Sequence, residues 1–177
     1  MDRAELSLFV KAMTFAAAKH KDQRRKDSDA SPYINHPIAL TDVLLHEGGI
    51  GTVDILVAAL LHDTIEDTDA SEEEIHRLFG AKIRSVVVEV TDEQGLDKAT
   101  RKQRQIDKAP HLSHSAKAVK LADKICNLRD VTDNPPPSWS LERRQAYFDW
   151  AKAVIDGLRG NHERLEAVFD AQYRCRP

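Results

Sequence analysis

The stretch of sequence that decides the fold is VDILVAALLHDTIEDT, residues 53–68. Its first half is apolar on almost every side, which is typical of a helix buried at the centre of a protein. Its second half turns polar and carries four ionisable side chains, namely His62, Asp63, Glu66 and Asp67. In a continuing helix, spacings of three and four residues place these groups on neighbouring surfaces. Because burying unpaired charge is costly, the cluster indicates a bound cation, basic partners, or plain hydration at an exposed helix end.

Helical patterns also dominate outside this stretch. Apolar residues recur at three- and four-residue steps in residues 1–20 and again in residues 115–129. Residues 83–90 are rich in β-branched side chains and have strand propensity, but we favour a helix there because propensity alone is a weak guide. The sequence therefore predicts an all-α fold, a bundle of roughly eight to ten helices that spans residues 1–177 as a single domain.

The composition narrows the class of protein. The 177 residues carry 26 basic and 29 acidic side chains, and this slightly acidic balance argues against a general binder of nucleic acid or membrane surfaces. No segment approaches the roughly 20 apolar residues that cross a bilayer. Two cysteines, Cys126 and Cys175, lack the spacing of a metal site and suit a reducing compartment. We predict a cytoplasmic protein whose partner is neither a nucleic acid nor a membrane.

Two further residues are candidate metal ligands. Asp123 interrupts the apolar pattern of LADKICNL, and His36 precedes Pro37 at a predicted helix start. Together with His62 and Asp63 they would form a mixed nitrogen and oxygen site. Such a site suits a six-coordinate divalent ion such as Mn²⁺ better than a tetrahedral structural zinc.

Glu66 and Asp67 lie one helical turn beyond the candidate ligands. A divalent ion can activate a water molecule and polarise a phosphoryl oxygen, and these carboxylates would be placed to orient or deprotonate that water. The alternative is that both residues merely end the helix.

Several separated segments identify a family. In order and spacing they resemble the HD hydrolase domain of RelA/SpoT homologues, and most closely the stand-alone small alarmone hydrolases of the Mesh type. These segments are RRKDSDASPYINHP (24–37), AALLHDTIEDTDASEEEIHRLFG (58–80), VTD (90–92) and KLADKICNLRD (120–130). The resemblance implies an HD-domain helical bundle, with Glu66 and Asp67 activating the attacking water and a manganese ion on His36, His62, Asp63 and Asp123.

The same resemblance implies an activity and a set of substrate contacts. The family removes the 3′-pyrophosphate of guanosine tetra- or pentaphosphate to give GDP or GTP, with metal-bound water as the nucleophile. Animal members are also associated with NADPH 2′-phosphatase activity. By resemblance, phosphates would be bound by Arg25 and Lys26, with Arg24 beside them, and the rest of the nucleotide would meet Asn127, Arg143 and Tyr147. From the residues alone, Lys98, Arg101 and Lys102 could extend this basic patch.

Three alternatives stay open from the sequence. The same site could serve a phosphatase acting on NADPH or another phosphorylated nucleotide. A non-catalytic nucleotide sensor would use the pocket only for binding, and a nucleic-acid-binding helical domain is disfavoured by the acidic balance. Side chains without a predicted role in the site are the remaining histidines, expected at the surface or at caps, and three aromatic residues expected in the core or in helix packing, namely Phe148, Trp139 and Trp150.

Overall fold

All regular structure in the computed structural model, which describes residues 1–177, is helical, so the predicted all-α fold is confirmed. The chain forms α1 (Arg3–Lys19), α2 (Asn35–Asp42), α3 (Val53–Leu61), α4 (Thr64–Asp67), α5 (Glu72–Phe79), α6 (Ala81–Val90), α7 (Lys98–Lys108), α8 (His114–Asp133), α9 (Leu141–Asp156) and α10 (Glu163–Tyr173). A π-helical turn, Val43–Glu47, extends α2, and a short 3-10 turn, Ala109–His111, follows α7. No helix is both long enough and apolar enough to span a membrane.

The apolar helix α3 lies at the centre of the core, as its sequence predicts. Every residue from Val53 to Leu61 except Asp54 is buried. The helix contacts α1, α2, α6 and α8, which surround it. One cluster of 36 buried hydrophobic residues connects these helices with α5, α9 and α10. The site residues that follow α3 are therefore anchored to a helix that is buried on nearly every side.

The segment with strand propensity is the helix α6. Its buried residues are Ile83, Val86, Val87 and Val90. These positions follow the spacing of one helical face, so packing of that face against α3 and α8 outweighs the β-propensity of the individual valines.

The basic loop between α1 and α2 is ordered by local contacts. An antiparallel bridge joins Arg24 to Pro32, and the Asp27 carboxylate accepts hydrogen bonds from the Ser31 amide, at 3.0 Å, and hydroxyl. His20, which we expected at the surface or at a cap, is the C-cap of α1 and is 98% buried, because its ring packs 4.8 Å from the Tyr33 ring and bonds Gln23. Loop residues that sequence patterns treat as independent are thus fixed beside α2.

Replacing Leu60, which is buried in α3, tests the central position of that helix. We expect Leu60→Ala to lower the free energy of unfolding by about 2–5 kcal/mol, because it opens a cavity in the core. The exposed Leu6→Ala is the matched control and should stay within about 0.5 kcal/mol of wild type. Urea denaturation in the presence of a chelator measures both values, and equal effects would contradict the central position of α3.

Candidate active site

Three of the four predicted metal ligands converge where α2, α3 and α8 meet. His36 comes from the first turn of α2, His62 caps the end of α3, and Asp123 lies in the middle of α8. All three residues are buried, and one ligand atom from each lies within 4.8 Å of the other two. Residues far apart in the sequence therefore form one compact donor set.

The His62 ring is held in the tautomer that a ligand needs. Its Nδ1 lies 2.8 Å from the Ala59 carbonyl oxygen, which can only accept, so Nδ1 carries a proton and Nε2 is the atom that can coordinate a metal. This Nε2 lies 2.8 Å from Asp63 Oδ2. Burial opposes protonation of the ring, but Asp63 and Asp123 raise the pKa of His62 above its ordinary value. The fourth predicted ligand, Asp63, thus stands beside the cluster, and its Oδ2 also accepts a hydrogen bond from the Tyr33 hydroxyl.

Burial and neighbouring charges set the ionisation of the other two ligands. Burial lowers the pKa of His36, so its ring stays neutral, and Nε2 lies 3.3 Å from Asp123 Oδ1. Burial opposes ionisation of Asp123, but Lys124, whose Nζ donates to Oδ2 at 3.0 Å, and His36 hold the pKa of this carboxyl well below its ordinary value. The Asn127 amide donates to Oδ1 at 2.5 Å and fixes the carboxylate further.

These donors fit a divalent cation. The Nε2 of His62 and the Nδ1 of His36 are buried and have no hydrogen-bond partner, although a buried polar atom normally has one. The ionised carboxylates of Asp63 and Asp123, which keep a low pKa despite burial, attract a cation to these two imidazoles and repel an anion. Nitrogen and oxygen donors in this ratio suit a transition metal with open positions for water.

The apolar helix does not continue into the polar run, although the helical spacing of His62, Asp63, Glu66 and Asp67 assumed that it did. The α-helix ends at Leu61, Asp63 adopts φ −102° and ψ 0°, and α4 is a separate single turn. The Thr64 hydroxyl, which is buried, donates to the Leu61 carbonyl oxygen at 2.7 Å and stabilises this break. As a result the Asp63 carboxylate turns back towards His62, which regular helical geometry would not allow.

The break also separates the two predicted catalytic carboxylates. Glu66 accepts a hydrogen bond from the Asp92 amide at 3.3 Å and lies 3.4 Å from Arg101 Nη1. Asp67 instead accepts a hydrogen bond at 2.9 Å from Gln23, in the basic loop. Burial, followed by the charges of Asp92 and Asp63, raises the pKa of Glu66. The two carboxylates therefore border the same site from different sides and in different electrostatic surroundings.

Two cavities adjoin each other beside the candidate ligands, of which Asp63 and Asp123 line the smaller cavity only. The smaller, of about 210 Å³, is lined by acidic side chains, Asp63, Glu66, Asp67, Asp92 and Asp123, and by basic ones, Arg101, Lys102, Lys120 and Lys124. The larger, of about 340 Å³, holds the basic loop and an aromatic wall. Tyr33, Asp67 and Asn127 line both cavities. A ligand could thus place one end in the smaller cavity and the other end against the aromatic wall of the larger one.

Most of the predicted substrate-binding residues line the larger cavity, namely Arg24, Arg25, Lys26, Asn127 and Tyr147. Arg143 is exposed and does not line it; its guanidinium stacks 4.5 Å above the ring of Trp139, which does. Lys98, which we expected to extend the basic patch, lines neither cavity.

Several residues of the site were not predicted from the sequence. Asp130 lines the larger cavity and forms an ion pair with Arg25, whose guanidinium also reaches Asn127 at 3.3 Å. Its position seven residues after Asp123, on the same face of α8, was a signal that could have identified it. Phe148 is fully buried, as predicted, but Trp139 and Trp150 are only partly buried and line the two cavities.

An all-helical bundle with paired histidine and aspartate ligands between its helices defines the HD class, and the chain matches the HD domain family over residues 12–147. It is 48% identical to the guanosine-3′,5′-bis(diphosphate) 3′-pyrophosphohydrolase MESH1 of Danio rerio over 96% of both chains. It is also 48% identical to the MESH1 of Homo sapiens, over 98% of this chain and 97% of the human one. A solved structure, described as a metazoan ortholog of SpoT that hydrolyzes ppGpp, superposes with a TM-score of 0.92 at 47% identity and 94% coverage of each chain. The chain belongs to the HD-domain family and, within it, to the MESH1 family.

The donor set predicts a metal-dependent gain in stability. Mn²⁺ at 100 times its dissociation constant should stabilise the folded protein by about 2.7 kcal/mol, because the ion binds only the folded state. His62→Ala should lose most of this gain, since the Nε2 donor disappears. The exposed His111→Ala is the matched control and should keep it. Thermal unfolding with and without Mn²⁺, followed by circular dichroism, measures the effect; an undiminished gain in His62→Ala would exclude His62 as a ligand.

Proposed function

We propose that this protein hydrolyses the 3′-diphosphate of guanosine tetra- or pentaphosphate, releasing GDP or GTP and pyrophosphate. The observation that carries the proposal is the convergence of His36, His62 and Asp123 beside two carboxylates and a nucleotide-sized cleft. The MESH1 relatives, whose names describe this reaction, support the same conclusion over nearly the whole chain.

In this proposal the metal is Mn²⁺, held by His36, His62 and Asp123 with Asp63 completing the set. A bound divalent ion of this kind polarises a phosphoryl oxygen and makes water a stronger nucleophile at neutral pH. The protein's own contribution is to orient the His62 ring through the Ala59 carbonyl and to keep the Asp123 carboxylate ionised through the Lys124 ammonium.

Glu66 and Asp67 would orient and deprotonate the attacking water. Asp67 borders both cavities and has one hydrogen-bond partner, Gln23, so its second oxygen is available to a water molecule. The raised pKa of Glu66 brings this carboxyl closer to the pH range in which a group readily exchanges protons. A pure nucleotide sensor would be weakened by these charges, because carboxylates repel a polyanion that they do not react with.

The nucleoside would occupy the larger cavity. The rings of Trp139 and Tyr147, with centroids 5.4 Å apart, offer surfaces for stacking, and Arg24, Arg25 and Lys26 offer charge-assisted hydrogen bonds to phosphates. Stacking on aromatic rings tolerates any base. The same cleft therefore does not exclude NADPH, with its 2′-phosphate at the metal, which is the second candidate substrate.

We also propose that residues 1–177 act as one domain in the cytoplasm. One continuous hydrophobic cluster joins α1 to α10, and both cysteines are free, which fits a reducing compartment.

The proposed reaction predicts the products of two parallel incubations. Manganese-loaded protein is incubated separately with guanosine tetraphosphate and with NADPH, and products are resolved by anion exchange beside a metal-chelated control. We expect GDP and pyrophosphate from the first, and any NADH and phosphate from the second would measure the breadth of the site. If neither nucleotide were consumed, the hydrolase would be rejected and the non-catalytic nucleotide sensor would be favoured.

The proposed roles of the carboxylates predict the effect of replacing them. Asp67→Asn and Glu66→Gln should each lower kcat by about 100-fold or more, because they remove groups that act on the attacking water. Asp69→Asn, on an exposed neighbour, should leave kcat unchanged. Calorimetric titration with Mn²⁺ should give the wild-type affinity for all three variants. Full activity in both Asp67→Asn and Glu66→Gln would place the proton-transfer groups elsewhere.

A further inference from the structure

Lys102 differs from the other basic residues of the smaller cavity. Arg101 lies beside Glu66, Lys120 donates to the Val90 carbonyl oxygen at 3.1 Å, and Lys124 pairs with Asp123. The Lys102 ammonium, in contrast, has neither a hydrogen bond nor an ion pair with the protein. A lysine ammonium has three donors, so three positions around this group are available to an anion.

The aromatic residues of α9 fix Lys102 in place. Its Nζ lies 4.5 Å from the ring centroid of Trp150 and 5.6 Å from that of Tyr147, and Trp150 Nε1 donates to the Lys102 carbonyl oxygen at 3.1 Å. These contacts attract the charge through the ring faces but supply no acceptor for its N–H groups. The aromatic rings therefore hold the Lys102 side chain at the cavity, while its charge has no counter-ion from the protein.

The charges next to the Lys102 ammonium are positive and favour an anionic ligand there. Lys124 approaches Trp150 at 4.5 Å as well, so two ammonium groups share one ring. Partial burial is the main cause that lowers the pKa of Lys102, and the positive charges of Lys98 and Lys124 add to it. Binding of an anion would relieve this repulsion.

We propose that Lys102 binds the terminal phosphate of a 3′-diphosphate and makes the site prefer a diphosphate to a monophosphate. The inference rests on the proposed function. The phosphorus next to the sugar must lie at the ligands around Asp123, and the nucleoside lies in the larger cavity. The terminal phosphate then extends away from the nucleoside, into the smaller cavity that Lys102 lines.

The chemistry of hydrolysis makes Lys102 a specificity residue. A water oxygen bonds to the phosphorus next to the sugar, the bond from that phosphorus to the 3′-oxygen breaks, and the 3′-oxygen gains a proton. The terminal phosphate keeps all its bonds and leaves as part of pyrophosphate. Lys102 therefore acts on a part of the substrate that a 3′-monophosphate lacks, whereas the bond that breaks is the same in both.

The test compares two nucleotides that differ only in this phosphate, guanosine 5′-diphosphate 3′-diphosphate and guanosine 5′-diphosphate 3′-monophosphate. Their dissociation constants are measured by calorimetry on the full chain with metal chelated, so that neither is hydrolysed. Lys102→Met should weaken binding of the 3′-diphosphate roughly tenfold or more, because a charged hydrogen bond is lost, and change the 3′-monophosphate by less than about twofold. Lys102→Arg should retain the preference.

Lys108→Met is the matched control, because Lys108 lies on the same helix but outside this cavity, and it should bind both nucleotides as wild type does. Equal weakening of both nucleotides by Lys102→Met, or no weakening of either, would overturn the inference. A diphosphate preference that depends on Lys102 would support it even if the wild-type protein hydrolysed neither nucleotide, so failure of the proposed reaction remains distinguishable.

Discussion

The structure depends on one constraint, the burial of imidazole and carboxylate donors at the junction of α2, α3 and α8. His36, His62 and Asp123 are each at least 90% buried, and the two imidazoles keep nitrogen atoms without a protein partner. Such an arrangement is costly in a folded protein unless a ligand satisfies it. The tight packing of α3 against its neighbours holds these donors together, so the stability of the core maintains the geometry of the site.

The break after α3 divides the site into two environments. Since Asp63 leaves helical geometry, its carboxylate joins the ligands, while Glu66 and Asp67 diverge towards α7 and the basic loop. Two carboxylates adjacent in sequence thereby receive different neighbours, and burial with nearby negative charge distinguishes Glu66. Different environments for paired carboxylates are a common basis for dividing the work of acid–base chemistry between them.

The basic side chains around the site differ in whether they have a counter-ion. Arg25 is paired with Asp130 and Lys124 with Asp123, so these cations already have local counter-ions. Lys102 contacts two aromatic rings but forms no ion pair. It lies on α7, a helix with no buried residue that packs mainly against α9. An anionic ligand would connect α7 to the candidate metal ligands and would accept the hydrogen bonds that Lys102 does not donate to the protein.

The sequence by itself determined the all-α class, the buried centre at α3 and the identity of the candidate ligands, because helical periodicity and the motifs around His36, His62 and Asp123 are local patterns. It did not reveal the break at Asp63, the burial of His20 or the place of Asp130 and Trp139 in the cleft. Each of these depends on a contact between residues distant in the sequence or on a local departure from regular helix geometry, as with the hydrogen bond from Tyr33 to Asp63. Only the tertiary structure decided which charges are paired. The neighbours of a side chain such as Lys102 are set by the packing of α7 against α9, and sequence periodicity does not indicate which residues meet across two helices.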